Sequence, residues 1–206
     1  QRGKRRIFMY TQEQNIEEKK MIDLTISSPI NVSVYYNSKS TLLMAIDLNS
    51  GINYDHKQFL TEDSFKLIFI AKGFEKTIKF IAKPSEGPAT YEFDLGTMLS
   101  QEEIINSYDR ESSLEYIDTN PTAYAYEQLQ SVGEESDIEV LHNELVRLTS
   151  VEESDRHNDY MIACCALSLG KNAVKFEKPE EIELIRAVYE NYGAKDDYGY
   201  IFEKFI

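Results

Sequence analysis

Two periods divide the chain. Between Ile22 and Lys83 apolar and polar residues tend to alternate, most regularly in Ile30-Asn31-Val32-Ser33-Val34-Tyr35, the period of a half-buried strand. Asn37-Ser38-Lys39-Ser40 supplies a turn before a second strand over Leu42 to Leu48. Phe65 to Ile70 and Thr77 to Ile81 predict two more, separated by Lys72-Gly73-Phe74-Glu75. This half reads as an antiparallel meander. Ahead of it, the polar stretch from Met9 to Lys20 predicts a short N-terminal helix.

Pro84-Ser85-Glu86-Gly87-Pro88 breaks the pattern, and after a short strand at Tyr91-Glu92-Phe93 the spacing becomes helical. Ser100-Gln101-Glu102-Glu103 has the form of a capping box, opening a helix to about Tyr108. Asn120-Pro121 predicts the N-cap and first turn of a second helix, stopped near Gly133. Ser136-Asp137-Ile138-Glu139 has the same box form, and Ile138, Leu141, Leu145 and Leu148 make one apolar stripe. Ser150 to Glu153 predicts the cap of a fourth helix ending at Gly170, and Lys178-Pro179 the start of a fifth, carrying Ile182, Ile185, Tyr189 and Tyr192 up to Gly193. The expectation is an α+β fold: an N-terminal antiparallel β-meander, then a helical half of about five helices. A β-rich lobe over residues 9–83 and an acidic helical lobe over 84–206 are expected to pack as one unit.

Charge sharpens this picture. Met9 to Lys83 carries nine Lys and nine acids, whereas Pro84 to Tyr160 carries three Arg against nineteen acids, a net of −16. Such a pole repels phosphate backbones and membrane surfaces and speeds encounter with basic partners. Direct nucleic-acid binding through this segment is therefore not expected. No apolar run reaches the roughly 18 residues a spanning helix needs, which predicts a soluble, cytoplasmic protein.

Residues 1–8 stand apart, with three of the seven arginines of an otherwise Lys-rich chain. Back-translated, Lys4-Arg5-Arg6 becomes a purine-rich ribosome-binding sequence ahead of a start codon at Met9, so these residues read as a translated leader that is not native. Cys164 and Cys165 are adjacent in an apolar helical stretch and read as reduced core thiols.

Few catalytic constellations are present. The chain has no phosphate-binding Gly loop, nucleophile elbow, His-Glu-x-x-His or Cys-x-x-Cys, and His56, His142 and His157 read as scattered surface residues. No cofactor or metal is expected on the preferred reading. One enzymatic alternative stays open: Asp47, Asp118 and Asp159, on Leu43-Met44-Ala45-Ile46-Asp47, Leu114-Glu115-Tyr116-Ile117-Asp118 and Arg156-His157-Asn158-Asp159-Tyr160, could hold two Mg²⁺ or Mn²⁺ in an RNase H-like, terminase-type nuclease. A virion scaffold role is a further alternative.

With Met9 as start, the whole chain to Ile206, including Gly3-Lys4-Arg5-Arg6-Ile7-Phe8-Met9-Tyr10-Thr11-Gln12-Glu13-Gln14, resembles a staphylococcal phage early protein that binds the host housekeeping sigma factor and inhibits RNA polymerase. The resemblance implies binding to the basic region 4 of that factor and promoter-selective inhibition in the cytoplasm of the infected host. Bottom-up, the contact candidates are the carboxylates Glu102, Glu103, Asp109, Glu111, Glu115, Asp118, Glu134, Glu135, Glu152, Glu153 and Asp155. Tyr108, Tyr116, Tyr124 and Tyr126, taken as exposed, are the expected anchors, because aromatic side chains dominate interface energetics.

Overall fold

The structure is a computed structural model that describes residues 19–82, 89–152 and 155–192. The leader, most of the predicted N-terminal helix, the Pro84–Pro88 breaker, Glu153 and Gly193 lie outside the described residues. The fold is α+β: seven strands followed by six α-helices among the described residues.

The strands are β1 (Lys20–Ser27), β2 (Val32–Tyr36), β3 (Leu42–Ile46), β4 (Tyr54–Thr61), β5 (Ser64–Ala71), β6 (Phe74–Ile81) and β7 (Ala89–Asp94). They do not form the single meander that their alternation predicts. One sheet has the order β4-β1-β7 and the other β3-β2-β5-β6. In the first, β1 pairs with β4 antiparallel but with β7 parallel, from Ile22 opposite Ala89 to Ser27 opposite Asp94. The reason is burial. Ile22, Leu24 and Ile26 of β1 are all fully buried and need covering, and they share one core with Val32, Val34, Met44, Ile46, Phe65, Leu67 and Phe69 of the second sheet. Phe59, Phe65, Phe80 and Phe93 fill that core with edge-on and stacked contacts. The turn from β5 to β6 needs Gly73, whose φ of 69° is left-handed and whose missing Cβ would lie 3.3 Å from the Asn106 carbonyl.

The helices are α1 (Gln101–Asn106), α2 (Arg110–Thr119), α3 (Ala123–Val132), α4 (Asp137–Thr149), α5 (Arg156–Lys175) and α6 (Pro179–Tyr192). A second core forms around α5, which packs against α3, α4 and α6, while α2 packs against α3. The halves meet where Thr122 Oγ1 donates to Asn49 Oδ1 at 2.7 Å, where Lys72 Nζ donates to the Tyr108 carbonyl at 3.2 Å, and where Lys76 pairs with Glu103 at 3.1 Å.

Several local expectations are corrected. The capping box at Ser100 forms in both directions, but Ser136 makes no side-chain cap bond. Asp137, the first residue of α4, instead accepts the amide of Glu134 ahead of the helix at 2.8 Å. Asn120 closes α2 instead of opening α3, whose cap is Thr122; α5 is capped by Asp155, not by Ser150 to Glu153. Gly170 lies buried inside α5, which continues to Lys175.

Candidate docking surface

Helix α2 is polar and faces solvent, and its sequence says why it folds. Asp109 caps it by accepting the Ser112 amide at 3.1 Å, and the buried Ser113 hydroxyl donates to the Asp109 carbonyl at 2.7 Å. Ser113 and Ile117 face inward, so an apolar stripe is not needed on this short element. Glu111, Glu115 and Asp118, spaced four and three residues apart, share the outward face; all are exposed. Among the described residues, none of these three carboxylates is in a hydrogen bond or ion pair. They form an acidic ridge.

A groove of about 590 Å³ runs beside the ridge, between α2 and α4. Leu114, Ile117 and Pro121 line one side and Val140 the other, with Asp118, Asn143, Glu144 and Arg147 at its polar margin. Glu144 is held from three directions. Tyr126 donates to it at 2.7 Å, and Arg147 donates through Nε and Nη2 at 2.9 and 2.8 Å. Burial works to raise its pKa, but the Arg147 and Tyr126 hydrogen bonds outweigh that and keep it below the ordinary glutamate value.

The other candidate carboxylates divide by what they already do. Glu103 belongs to the α1 capping box and pairs with Lys76, so its pKa is lowered, first by the Ser100 amide and then by Lys76. Asp109 caps α2 and stands 3.6 Å from Lys72, and Asp155 caps α5. Glu134 pairs with Arg110 at 3.4 Å and Glu135 with Lys178 at 2.8 Å. Glu102 and Glu152 are exposed, and Glu153 lies outside the described residues. Five of the ten described candidates therefore already have partners within the fold.

The tyrosines require the larger correction. Tyr108, Tyr124 and Tyr126 are buried, not exposed. Tyr108 meets Tyr124 edge-on at 6.2 Å, and Tyr126 is completely enclosed with its hydroxyl on Glu144. Each ring supplies apolar area that the core needs, and for Tyr126 the bonded hydroxyl removes the penalty of enclosing it. Burial raises the Tyr126 and Tyr124 pKa values. Tyr116 is half-buried, facing a hollow shared with Asn31, Ser33, Asp47 and Lys72.

The nuclease placement is not reproduced. Leu114–Asp118 is helix, not strand, and Asp47 caps the Leu48–Ser50 turn by accepting the Asn49 amide at 3.0 Å. Asp159 sits in the first turn of α5. No group of three or more His, Cys, Asp and Glu among the described residues is placed to hold a metal ion, so Asp47, Asp118 and Asp159 do not converge on one. Two histidines are bridges and not isolated surface groups: His56 bonds Asp23 across β1 and β4, and half-buried His142 bonds Glu181 at 2.7 Å, joining α4 to α6. Cys164 and Cys165 are free and buried; burial pushes Cys164 up to about 11 and Cys165 well above its ordinary value. No described helix is long and apolar enough to cross a membrane.

Residues the sequence did not single out are Leu114, Val140, Asn143 and Arg147. One signal was available: Val140, Val146 and Val151 fall off the Ile138-Leu141-Leu145-Leu148 stripe and are exposed. No protein-family model matches the chain, and no curated protein or solved structure is significantly similar to it.

Proposed function

We propose that the protein acts by binding another macromolecule, through an acidic helical surface that docks on a positively charged domain without making or breaking a covalent bond. The partner implied by the phage-protein resemblance is region 4 of the host primary sigma factor, and the consequence is promoter-selective inhibition of host RNA polymerase. The observation that carries the reading is the α2 ridge, where Glu111, Glu115 and Asp118 are exposed, co-facial and, among the described residues, in no hydrogen bond or ion pair, with Arg110 within electrostatic reach of Glu111 alone. Carboxylates already paired inside a fold contribute little new attraction, whereas free ones act at full charge on an approaching cation. The same face disfavours phosphate backbones.

The test is association kinetics with an isolated region 4 domain. Raising salt through about 0.15 M, where screening reaches about 8 Å, should slow association, and a Glu111→Gln/Glu115→Gln/Asp118→Asn variant should associate roughly tenfold more slowly. Failure to bind region 4 at low salt overturns the proposed partner. Binding that ignores both salt and the ridge overturns the proposed surface.

A further inference from the structure

We infer that the groove between α2 and α4 receives one face of a basic amphipathic helix from another protein. This deepens the binding proposal above and rests on it. The groove offers two kinds of chemistry side by side. Its wall is aliphatic, from Leu114, Ile117, Pro121 and Val140, and its volume of about 590 Å³ admits several apolar side chains. Its margin on the α2 side is acidic, with Asp118 lining the groove and Glu115 and Glu111 exposed on the same helix face, while Glu144 and Arg147 line the α4 side as a mutual ion pair.

An apolar floor beside an acidic ridge complements an apolar stripe flanked by Lys or Arg, the pattern of an amphipathic basic helix. A fully apolar strand or lipid chain would leave the ridge unmatched, and an acidic segment would be repelled. The Val140 to Arg147 wall spans seven residue steps, about 10 Å of helix, so the groove reads about two turns of its guest. Anchors at i, i+3 or i+4 and i+7 match that length. Arg147 and Glu144 neutralise each other on the α4 wall through two hydrogen bonds, so the unpaired negative charge at the groove comes from the α2 side, at Asp118.

The experiment uses the full chain and two synthetic peptides of about fifteen residues, equal in composition. One places Leu at i, i+3, i+4 and i+7 among Lys; the other scrambles the Leu positions. The amphipathic peptide should bind at least roughly tenfold more tightly. Val140→Ser and the groove-filling Asn143→Trp, both at exposed positions, should erase that preference, while neutralising the ridge weakens both peptides alike. Circular dichroism verifies that each variant is folded. Equal affinity for the two peptides, or indifference to Val140→Ser and Asn143→Trp, overturns the groove assignment even where salt-dependent region 4 binding persists. Self-association abolished by Asn143→Trp would give the groove to a second copy, and overturn it too. Loss of peptide and region 4 binding together would remove the underlying binding reading as well.

Discussion

Arg110, in the first turn of α2, holds Asp137, in the first turn of α4, through two parallel hydrogen bonds, Nε to Oδ2 at 2.7 Å and Nη2 to Oδ1 at 2.6 Å. Asp137 is only 2% exposed and accepts the Glu134 amide as well. The pair fixes the starts of the two helices that flank the groove. Arg110→Ala would leave a buried carboxylate without its counter-charge, a change of about 3 kcal/mol in unfolding free energy. Urea denaturation measures it; a loss within about 0.5 kcal/mol would show the pair to be no more than a surface contact.

The same pair gives acid stability a sign. Burial pushes Asp137 upward, but the Arg110 bonds, the Glu134 amide and the guanidinium charge outweigh it, so its folded pKa is below that of the unfolded chain. Glu144 is lowered in the same sense. The stability they contribute is present above the unfolded values of about 4 and is lost as pH falls through the lower folded values. In Arg110→Ala the buried Asp137 is left with desolvation as its main influence, which reverses the dependence at that site. Thermal scans at about pH 6 and about pH 3 should therefore show a smaller acid penalty for the variant than for the wild type. Parallel losses would contradict this account of Asp137.

Gly133 closes α3 with a φ of −62°, an angle any residue adopts, so space and not backbone freedom demands glycine. A Cβ there would lie 2.5 Å from both the Asn172 side-chain oxygen and the Leu129 carbonyl. Asn172 is itself fixed, donating to the Leu129 and Ser168 carbonyls at 2.9 Å each. Gly133→Ala should thus cost about 2 to 3 kcal/mol. An unchanged melting temperature would mean that α3 and α5 can separate freely at this point.

What was legible in the sequence follows from the range of each interaction. Period-two alternation marks β2, and Ser100 with Glu103 gives a capping box whose bonds span three residues. The parallel pairing of β1 with β7 joins strands more than sixty residues apart and leaves no local trace. Helix α2 leaves no apolar stripe in the sequence, because its inward face sets a buried Ser113 beside Ile117. β4 escaped because Tyr54–Thr61 is mostly polar and exposed. The acidic pole was plain from composition, but which carboxylates are free depends on distant cations such as Lys72, Lys76 and Lys178. Tyrosine burial likewise depended on partners such as Glu144, eighteen residues from Tyr126.

Thiol chemistry should report the integrity of the helical core. Cys165 is fully enclosed and donates to the Leu141 carbonyl at 3.4 Å, and burial raises both thiols, Cys164 to about 11. The thiolate is the reactive form, so at neutral pH a disulfide reagent should label the native protein far more slowly than the urea-unfolded chain. Rapid labelling of both cysteines without denaturant would contradict the packing of α5 against α4.

Binding and folding should separate on the α2 ridge. Asp118 lies in the last turn of α2, where carbonyl dipoles disfavour negative charge, and it caps no helix end. Asp118→Lys should leave stability unchanged or raise it by a few tenths of a kcal/mol, since it exchanges an unfavourable charge for a favourable one. Glu111, in the first turn, is favourably placed, so Glu111→Lys should cost a similar small amount. For a basic partner both substitutions act in one direction, each removing an attractive charge and adding a repulsive one. Measured together, unfolding and association therefore give opposite signs for stability at the two sites but the same sign for binding. Weakened binding that tracked stability across the pair would assign the ridge to structure, not recognition.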